Sequence, residues 1–222
     1  MDWEALWLSL RLGGLTVLLL IPLAIAFGRF LALRSFFGRA VAEAVVALPL
    51  VLPPTVLGFY LLVAFGSDSW IGRTYDRFIG QPLVFSFEGL LLASIIVNVP
   101  FAVQPIQRAF ESIPADLRDA AATCGMSWWR MLHRIELPLA WPGILTGMVL
   151  TFAHTLGEFG VVLMVGGNIP GETRTVAIAI YDRVQAFDDQ AAGRMAALLL
   201  LVSLVAIALS YALSQRIGRR HG

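Results

Sequence analysis

The sequence predicts an all-α, polytopic membrane protein with about five transmembrane helices. Hydrophobic residues make up 58% of the 222 residues, charged residues only 14%, and the mean hydropathy is +0.78. The charged residues are grouped, and they leave charge-free runs at 12–28, 44–67, 89–107, 137–157 and 195–215. A helix of about 20 apolar residues crosses about 30 Å of hydrocarbon. Backbone groups in lipid must bond within their own segment, so these runs predict helices rather than strands.

One transmembrane domain over residues 5–215 accounts for nearly the whole chain. Its helices are predicted at about 5–33, 42–66, 88–108, 137–163 and 194–215. The polar segment 109–136 connects the third and fourth helices. We expect this segment to lie outside the bilayer, on the cytoplasmic side.

The distribution of arginine predicts the orientation. The first residues differ from a secretory signal peptide, because Asp2 and Glu4 stand where such a peptide carries positive charge. Trp3 and Trp7 suit a membrane interface, so the first helix is expected to remain in the protein. With the N-terminus outside and the C-terminus in the cytoplasm, ten of the sixteen basic residues lie inside, as the positive-inside bias favours. These ten are Arg29, Arg34, Arg39, Arg108, Arg118, Arg130, Arg134, Arg216, Arg219 and Arg220.

The composition excludes several classes of enzyme. All sixteen basic residues are arginine, whereas a P-loop needs a lysine that reaches the nucleotide phosphates. With one cysteine, Cys124, and three histidines, a zinc cluster is not expected. We therefore predict no catalytic residues, no metal and no cofactor on this chain. The net charge of +1 gives no indication of a nucleic acid partner, and the expected surroundings are a lipid bilayer.

The segment 109–136 reads as two short helices joined by a glycine. Pro114 and the acidic Asp116 and Asp119 suit a helix N-terminus. The spacing of Leu117, Ala120, Ala121 and Cys124 makes one narrow face of mostly small side chains, and Gly125 can take the left-handed conformation that ends a helix. Ser127 caps a second piece that begins at Trp128 and is expected to stop at Leu137 and Pro138. From periodicity alone, this segment fits a groove in a partner protein or the lipid surface equally well.

A family resemblance favours the partner protein. The segment contains Asp119-Ala120-Ala121, three intervening residues, Gly125, nine intervening residues, and then Ile135-x-Leu137-Pro138. This pattern resembles the EAA loop of ABC importer permeases. Six of the seven fixed positions match, and Asp119 stands where glutamate is usual. The resemblance implies a coupling helix that docks on a separate ABC ATPase subunit, where ATP acts. The residues it assigns to coupling are Asp119, Ala120, Ala121, Gly125, Trp128, Arg130, Leu137 and Pro138.

Other segments resemble the molybdate permeases of the type I importer class. These are residues 48–58, 156–160 and 167–175, the last of which reads Gly-Asn-Ile-Pro-Gly-Glu-Thr-Arg-Thr. The resemblance implies a bacterial inner-membrane homodimer, served by an extracytoplasmic oxyanion-binding protein. Sulfate, thiosulfate and tungstate permeases are the alternatives.

Five residues are candidates for the transport pathway or its gate: Pro53, Pro54, Thr55, Glu158 and Asn168. Prolines remove backbone donors from a membrane helix, and such breaks are tolerated where a helix lines a cavity. A kinked helix packed on its neighbours fits the same prolines equally well. Glu158 and His154, one turn apart in the predicted fourth helix, are ionisable residues at membrane depth. A structural role for Glu158 is preferred over gating, and a proton-coupled secondary transporter is the alternative from another class.

Overall fold

The computed structural model describes residues 2–218, and within them it consists of α-helices and one π-helical turn. The helices are α1 (Trp3–Leu33), α2 (Arg39–Val51), α3 (Pro54–Phe65), α4 (Trp70–Ile79), α5 (Phe87–Glu111), α6 (Ala115–Thr123), α7 (Trp128–Met131), α8 (Leu137–Gly157), α9 (Gly160–Gly166), α10 (Val176–Gln185) and α11 (Asp189–Gly218). The π-helical turn, Leu132–Glu136, joins α7 to α8. The all-α prediction is confirmed. Arg219 and Arg220, which contribute to the predicted orientation, lie outside the described residues.

Within residues 2–218, four continuous helical segments are long and apolar enough to cross a membrane. They are Trp3–Leu33, Phe87–Glu111, Trp128–Gly157 and Asp189–Ala208. A fifth candidate span is the pair α2 and α3, which together are apolar enough but are bent by 109° at their junction. The prediction of about five transmembrane helices is therefore confirmed, with one of the five sharply broken.

The prediction of one continuous helix over 42–66 is wrong, because the chain leaves helical conformation at Leu52 and Pro53. Both residues are extended, with ψ of 137° and 136°, and α3 begins at Pro54. A proline lacks an N–H donor and disfavours helical backbone in the residue before it. Two adjacent prolines therefore end α2, whereas at the start of α3 the missing donor of Pro54 costs nothing. Pro49 lies inside α2 without ending it.

The helix predicted over 137–163 is also two helices in the structure. α8 ends at Gly157, Glu158 is extended with φ −70° and ψ 127°, and α9 begins at Gly160. Glycine at these positions lowers helix propensity by about 1 kcal/mol relative to alanine. The backbone N–H of Val161 donates to Glu158 Oε1 over 2.8 Å, so the carboxylate caps the first turn of α9.

The main core is formed where α1, α5 and α8 pack together. Its buried side chains are Leu20, Ile21, Ala24, Leu31, Ala102, Val103, Ile106, Phe110, Ala140 and Ile144. Gly28 permits a close approach of α1 to α5, since a Cβ at Gly28 would lie 3.1 Å from the backbone nitrogen of Gln107. This bundle holds both ends of the segment that connects α5 to α8.

Candidate functional site

The α5–α8 loop, defined here as residues 112–136, is built around a left-handed glycine. Pro114 precedes α6, and α6 ends where Gly125 takes a φ of 70°. The Gly125 N–H donates to the Ala122 carbonyl over 2.9 Å, and the Met126 N–H donates to the Ala121 carbonyl over 3.0 Å. These bonds satisfy carbonyls that the end of a helix leaves free. A side chain at Gly125 would strain the backbone in this conformation.

Most of the small-residue face of α6 is open to solvent. Leu117, Ala120 and Cys124 are exposed, and Ala121 is buried against the protein. Asp119 is exposed beside this face. Backbone atoms of α6 are therefore accessible to another surface at close range.

Two exposed tryptophans follow the glycine turn. Trp128 is 63% exposed and Trp129 is 56% exposed, and their rings meet edge to face with centroids 5.2 Å apart. Arg130 beside them is also exposed. The Trp129 ring packs on the His133 ring, with centroids 4.2 Å apart. Large exposed aromatic side chains and arginine are enriched at protein interfaces.

The expected stop at Leu137 and Pro138 is wrong, because the chain continues as helix. α7 passes through the π-helical turn directly into α8, in which Pro138 occupies the second position. In a regular helix the proline ring would clash with the carbonyl of residue i−4, here Arg134. A π-helical turn widens the backbone ahead of the ring and accommodates it. The end of the α5–α8 loop is therefore rigidly continuous with a transmembrane helix.

A buried ion pair ties that end of the loop to α1. Arg29 Nε donates to Glu136 Oε2 over 2.6 Å, and the Glu136 side chain is 0% exposed. The two residues are 107 positions apart in the chain. Charge-assisted hydrogen bonds of this kind are stronger than neutral ones, and the low-dielectric surroundings reduce screening.

A second set of polar contacts ties the other end of the loop to α2. Arg39 Nη2 donates to Glu111 Oε1 over 2.8 Å, and Arg39 Nε donates to Glu43 Oε1 over 2.9 Å. Gln107 Nε2 donates to both carboxylates, each over 2.9 Å. Arg29 and Arg39 stand on either side of the α1–α2 turn, so both ends of the α5–α8 loop are held by one short stretch of chain.

A polar cluster formed by side chains of α1, α5 and α8 lies inside the apolar bundle. Asn98 is fully buried; its amide nitrogen donates to Thr155 Oγ1 over 3.0 Å and to the Ser94 carbonyl over 2.8 Å. Thr16 Oγ1 donates to Ser94 Oγ over 2.9 Å. His154 Nδ1 lies 3.2 Å from Asn98 Oδ1. Hydrogen bonds between membrane helices stabilise by about 0.6–2 kcal/mol each, so this cluster fixes the mutual position of three helices.

The predicted pathway residues fall into two groups. Pro54 and Thr55 at the start of α3 lie against Gly160, where an added Cβ would be 2.8 Å from Pro54 Cβ. Glu158, two residues before Gly160, lies with its Oε2 3.8 Å from His154 Nε2. Pro53, Pro54 and Thr55 are exposed, whereas Glu158 is buried.

Asn168 lies apart from that group, in the loop after α9. Its amide nitrogen donates to Asp182 Oδ2 over 2.9 Å, and Arg174 Nε donates to Asn168 Oδ1 over 2.6 Å. Arg174 also lies 4.0 Å from Asp2 and 3.7 Å from Asp182. The charge of Arg174 is therefore balanced by neighbouring carboxylates in this loop.

Comparison with known families decides what kind of protein this bundle is. Residues 22–220 match the family model described as "Binding-protein-dependent transport system inner membrane component". The chain belongs to this family. As a member of it, the protein is a multi-pass component of a transport system of the inner membrane.

Several relatives within this family are permeases of molybdenum transport systems. The chain is 45% identical to the molybdenum transport system permease protein ModB of Azotobacter vinelandii, over 93% of this chain and 91% of that protein. It is 40% identical to ModB of Escherichia coli (strain K12), over 98% and 94% of the two chains. The sulfate transport system permease protein CysW of Synechocystis sp. is 33% identical over 95% of this chain and 77% of that protein.

Solved structures of distant transporters share the fold. A bacterial ABC transporter involved in the import of the acidic polysaccharide alginate matches with a TM-score of 0.78 and 21% identity, over 96% of this chain and 79% of that one. The MetNI methionine ABC transporter in an inward-facing conformation matches with a TM-score of 0.69 and 15% identity, over 97% and 94%. Both comparisons support the type I importer permease fold.

Sequence patterns did not predict the residues that hold the ends of the α5–α8 loop. They also did not predict the residues that form the polar cluster. Glu136 occupies the variable position of the Ile-x-Leu-Pro pattern, so the pattern assigns it no role. Ser94 and Asn98, and likewise Thr151 and Thr155, are polar residues one helical turn apart in apolar helices. That spacing was a usable signal, because it places polar groups on one face of each helix. Nothing in the sequence indicated which helices would share the cluster.

Proposed function

We propose that this chain is the permease subunit of an ATP-driven importer that moves molybdate across the bacterial inner membrane. The observation that supports this proposal most directly is the 45% identity to a molybdenum transport permease over nearly the full length of both chains. The sulfate permeases match at 33–34% identity, so a sulfate or thiosulfate importer is the weaker assignment. Tungstate, another tetrahedral oxyanion, remains an alternative substrate.

The energy for transport comes from a separate ABC ATPase subunit. The chain contains no lysine and hence no P-loop, so in this proposal ATP acts on the partner subunit. The exposed face of Leu117, Ala120 and Cys124 lets a groove of the ATPase approach the α6 backbone. Trp128 and Arg130 extend the contact past Gly125. Asp119 replaces the usual glutamate with a carboxylate one methylene shorter.

Movement of the α5–α8 loop is transmitted through the polar contacts that hold its two ends. Closure of the ATPase dimer on ATP brings the two loops of a homodimer together. The Arg29–Glu136 and Arg39–Glu111 contacts carry the displacement to α1 and to α2, and the π-helical turn carries it into α8. The pathway between the two copies then switches from inward-facing to outward-facing. ATP and substrate must favour different states, since otherwise neither shifts the equilibrium.

The broken span lines the pathway in this proposal. Pro53 and Pro54 leave backbone groups of α2 and α3 without helical partners, and such groups are tolerated at membrane depth where protein or water covers them. Thr55 offers a hydroxyl that binds an oxyanion weakly enough for release. Glu158 caps α9 and holds it against α3, a structural role that suits a carboxylate better than contact with an anion.

The proposed orientation places the N-terminus outside and the C-terminus in the cytoplasm. It follows from the ten arginines that this topology puts inside. The loop around Asn168 and Arg174 then faces outward, where an oxyanion-binding protein delivers the substrate. Its paired charges and turn-rich backbone offer a polar docking surface.

Reconstitution with the ATPase and the binding protein in proteoliposomes tests the assignment. We expect ATP-dependent molybdate uptake that an equal concentration of sulfate leaves nearly unchanged. Sulfate, thiosulfate or tungstate outcompeting molybdate would show that the substrate is wrongly assigned.

A proton-coupled secondary transporter is the second candidate, because His154 and Glu158 approach each other at 3.8 Å inside the bundle. That function predicts uptake by the chain alone, abolished by a protonophore. Uptake that requires ATP and survives the protonophore excludes it.

A further inference from the structure

A cavity of about 830 Å³ opens beside the end of α1, on the side facing α6. It lies between the last turns of α1, the residues that follow them, the α6 helix and the π-helical turn. Its lining residues are Ala26, Arg29, Phe30, Leu33, Arg34, Ser35, Phe36, Arg118, Met131 and Glu136. The lining combines charged residues with apolar side chains.

The charged residues that line the cavity are mostly positive and are incompletely paired. Three arginines, Arg29, Arg34 and Arg118, face a single carboxylate, Glu136. Arg29 is paired with Glu136, and neither Arg34 nor Arg118 forms an ion pair with any side chain that the structure describes. The cavity therefore favours an anion.

Two buried polar atoms in this region find no hydrogen-bond partner within the described residues. One is Arg118 Nη1, a donor, and the other is Glu136 Oε1, an acceptor. Leaving a buried polar group unsatisfied costs about 1–3 kcal/mol, and more for a charged group. A ligand that satisfies both atoms must carry an acceptor anion and a separate hydroxyl or ammonium donor. Inorganic phosphate offers the acceptor anion. As its dianion, however, it has only one hydroxyl, which is a weak hydrogen-bond donor.

The position of the cavity indicates that the ligand comes from the membrane. Arg29 and Arg34 follow the apolar part of α1, at the level where a transmembrane helix meets the headgroups. The aromatic side chains Phe30 and Phe36 line the rim with centroids 5.1 Å apart, and the neighbouring Phe37 is fully exposed. Such side chains offer apolar surface to the glycerol backbone and the first part of the acyl chains of a lipid.

We propose that this cavity binds the headgroup of an anionic phospholipid of the phosphatidylglycerol type. The phosphodiester accepts hydrogen bonds from Arg34 and Arg118, and a headgroup hydroxyl donates to Glu136 Oε1. Basic pockets beside transmembrane helices recognise lipid phosphate in this way, and guanidinium–phosphate contacts are charge-assisted. Because Arg118 belongs to α6 and Glu136 to the π-helical turn, the bound lipid joins the α5–α8 loop to the membrane surface.

The test measures which lipids stay bound to the full-length chain. The protein is purified from vesicles containing equal amounts of phosphatidylglycerol and phosphatidylcholine, and retained lipid is counted by native mass spectrometry. We expect selective retention of phosphatidylglycerol. In the double variant R34Q/R118Q retention falls at least about tenfold, because two charge-assisted hydrogen bonds are lost. The matched control R73Q/R77Q, which removes the same charge from α4, retains the lipid.

Two further measurements decide the source of the phosphate and guard against a misfolded variant. Excess inorganic phosphate leaves the retained lipid in place if the ligand is a phospholipid. Displacement of the lipid by inorganic phosphate would show that the cavity takes a free anion instead. In the wild-type chain, a phosphatidylglycerol bearing a photoreactive group near its headgroup is expected to label residues 30–37 or Arg118. Labelling elsewhere, or equal retention of both lipids, overturns the proposal.

Discussion

Arg29 Nε lies 2.6 Å from Glu136 Oε2, and this contact joins the end of α1 to the turn that closes the α5–α8 loop. Glu136 is fully buried, and Arg29 is the ion-pair partner that the structure gives it. The same contact is therefore a structural bond and, in the proposed importer, a path for movement. The two roles separate in a double-mutant experiment.

Replacing Arg29 with methionine is expected to destabilise the chain by about 3 kcal/mol, because it leaves Glu136 buried without its partner. The value is at the lower end of the range for buried pairs, since Arg29 is partly exposed. Denaturation of the purified protein in detergent measures the loss. The double variant R29M/E136L should regain most of the stability, since replacing a buried pair with apolar residues is often neutral.

The coupling of ATP hydrolysis to uptake tests whether the Arg29–Glu136 pair also transmits movement. In R29M/E136L we expect more ATP hydrolysed per molybdate transported than in the wild type, although the fold is restored. An unchanged ratio would mean that the pair serves stability alone.

Gly125→Val is expected to uncouple ATP hydrolysis from uptake while the helices remain inserted. The φ of 70° at Gly125 strains a β-branched residue by about 1–3 kcal/mol, enough to redirect α6 relative to α7. Gly14→Val is the matched control, because Gly14 lies in α1 with open space around its Cβ position and has no left-handed backbone. Uptake per ATP measured in proteoliposomes should fall in the first variant only. Normal coupling in Gly125→Val would count against the assigned role of the α5–α8 loop.

Ala120→Arg should weaken the association with the ATPase subunit at least about tenfold, because a long side chain blocks close approach to α6. Ala122→Arg is the control: residue 122 is also exposed but lies on the opposite side of the helix, two positions further along. Co-purification of the ATPase with each variant measures the effect. Equal losses in both variants would mean that charge, rather than the small-residue face, is responsible.

Glu158→Gln should leave uptake within about twofold of the wild type, because an amide oxygen can still cap α9. Glu158→Ala removes the acceptor for the Val161 N–H and should cost about 1 kcal/mol of stability. Uptake assays at equal membrane expression measure the first effect, and denaturation of the purified variants in detergent measures the second. A strong loss of uptake in Glu158→Gln, with the stability unchanged, would favour gating by the carboxylate charge.

Helix positions were predictable because long apolar runs have few structural solutions in lipid. The charge-free run at 89–107 lies within α5, and the proline and glycine of the α5–α8 loop mark where α6 begins and ends. These features depend on neighbouring residues, so a single sequence contains them.

The breaks within the transmembrane helices, and the contacts that hold the ends of the α5–α8 loop, were harder to predict. Pro53 and Pro54 signalled an interruption, but the 109° bend depends on how α3 packs against α9. The Arg29–Glu136 pair spans 107 positions, and several carboxylates in the sequence were equally plausible partners for Arg29. Such pairings follow from tertiary packing, which local patterns do not encode.

Cys124 gives the protein a built-in reporter. It is the only cysteine of the chain, and it is exposed at the end of α6. A thiol reagent reacts with it without background substitutions elsewhere in the chain. Because Cys124 lies on the face proposed to contact the ATPase, binding of that subunit should slow the reaction, and the change in labelling rate would report docking directly.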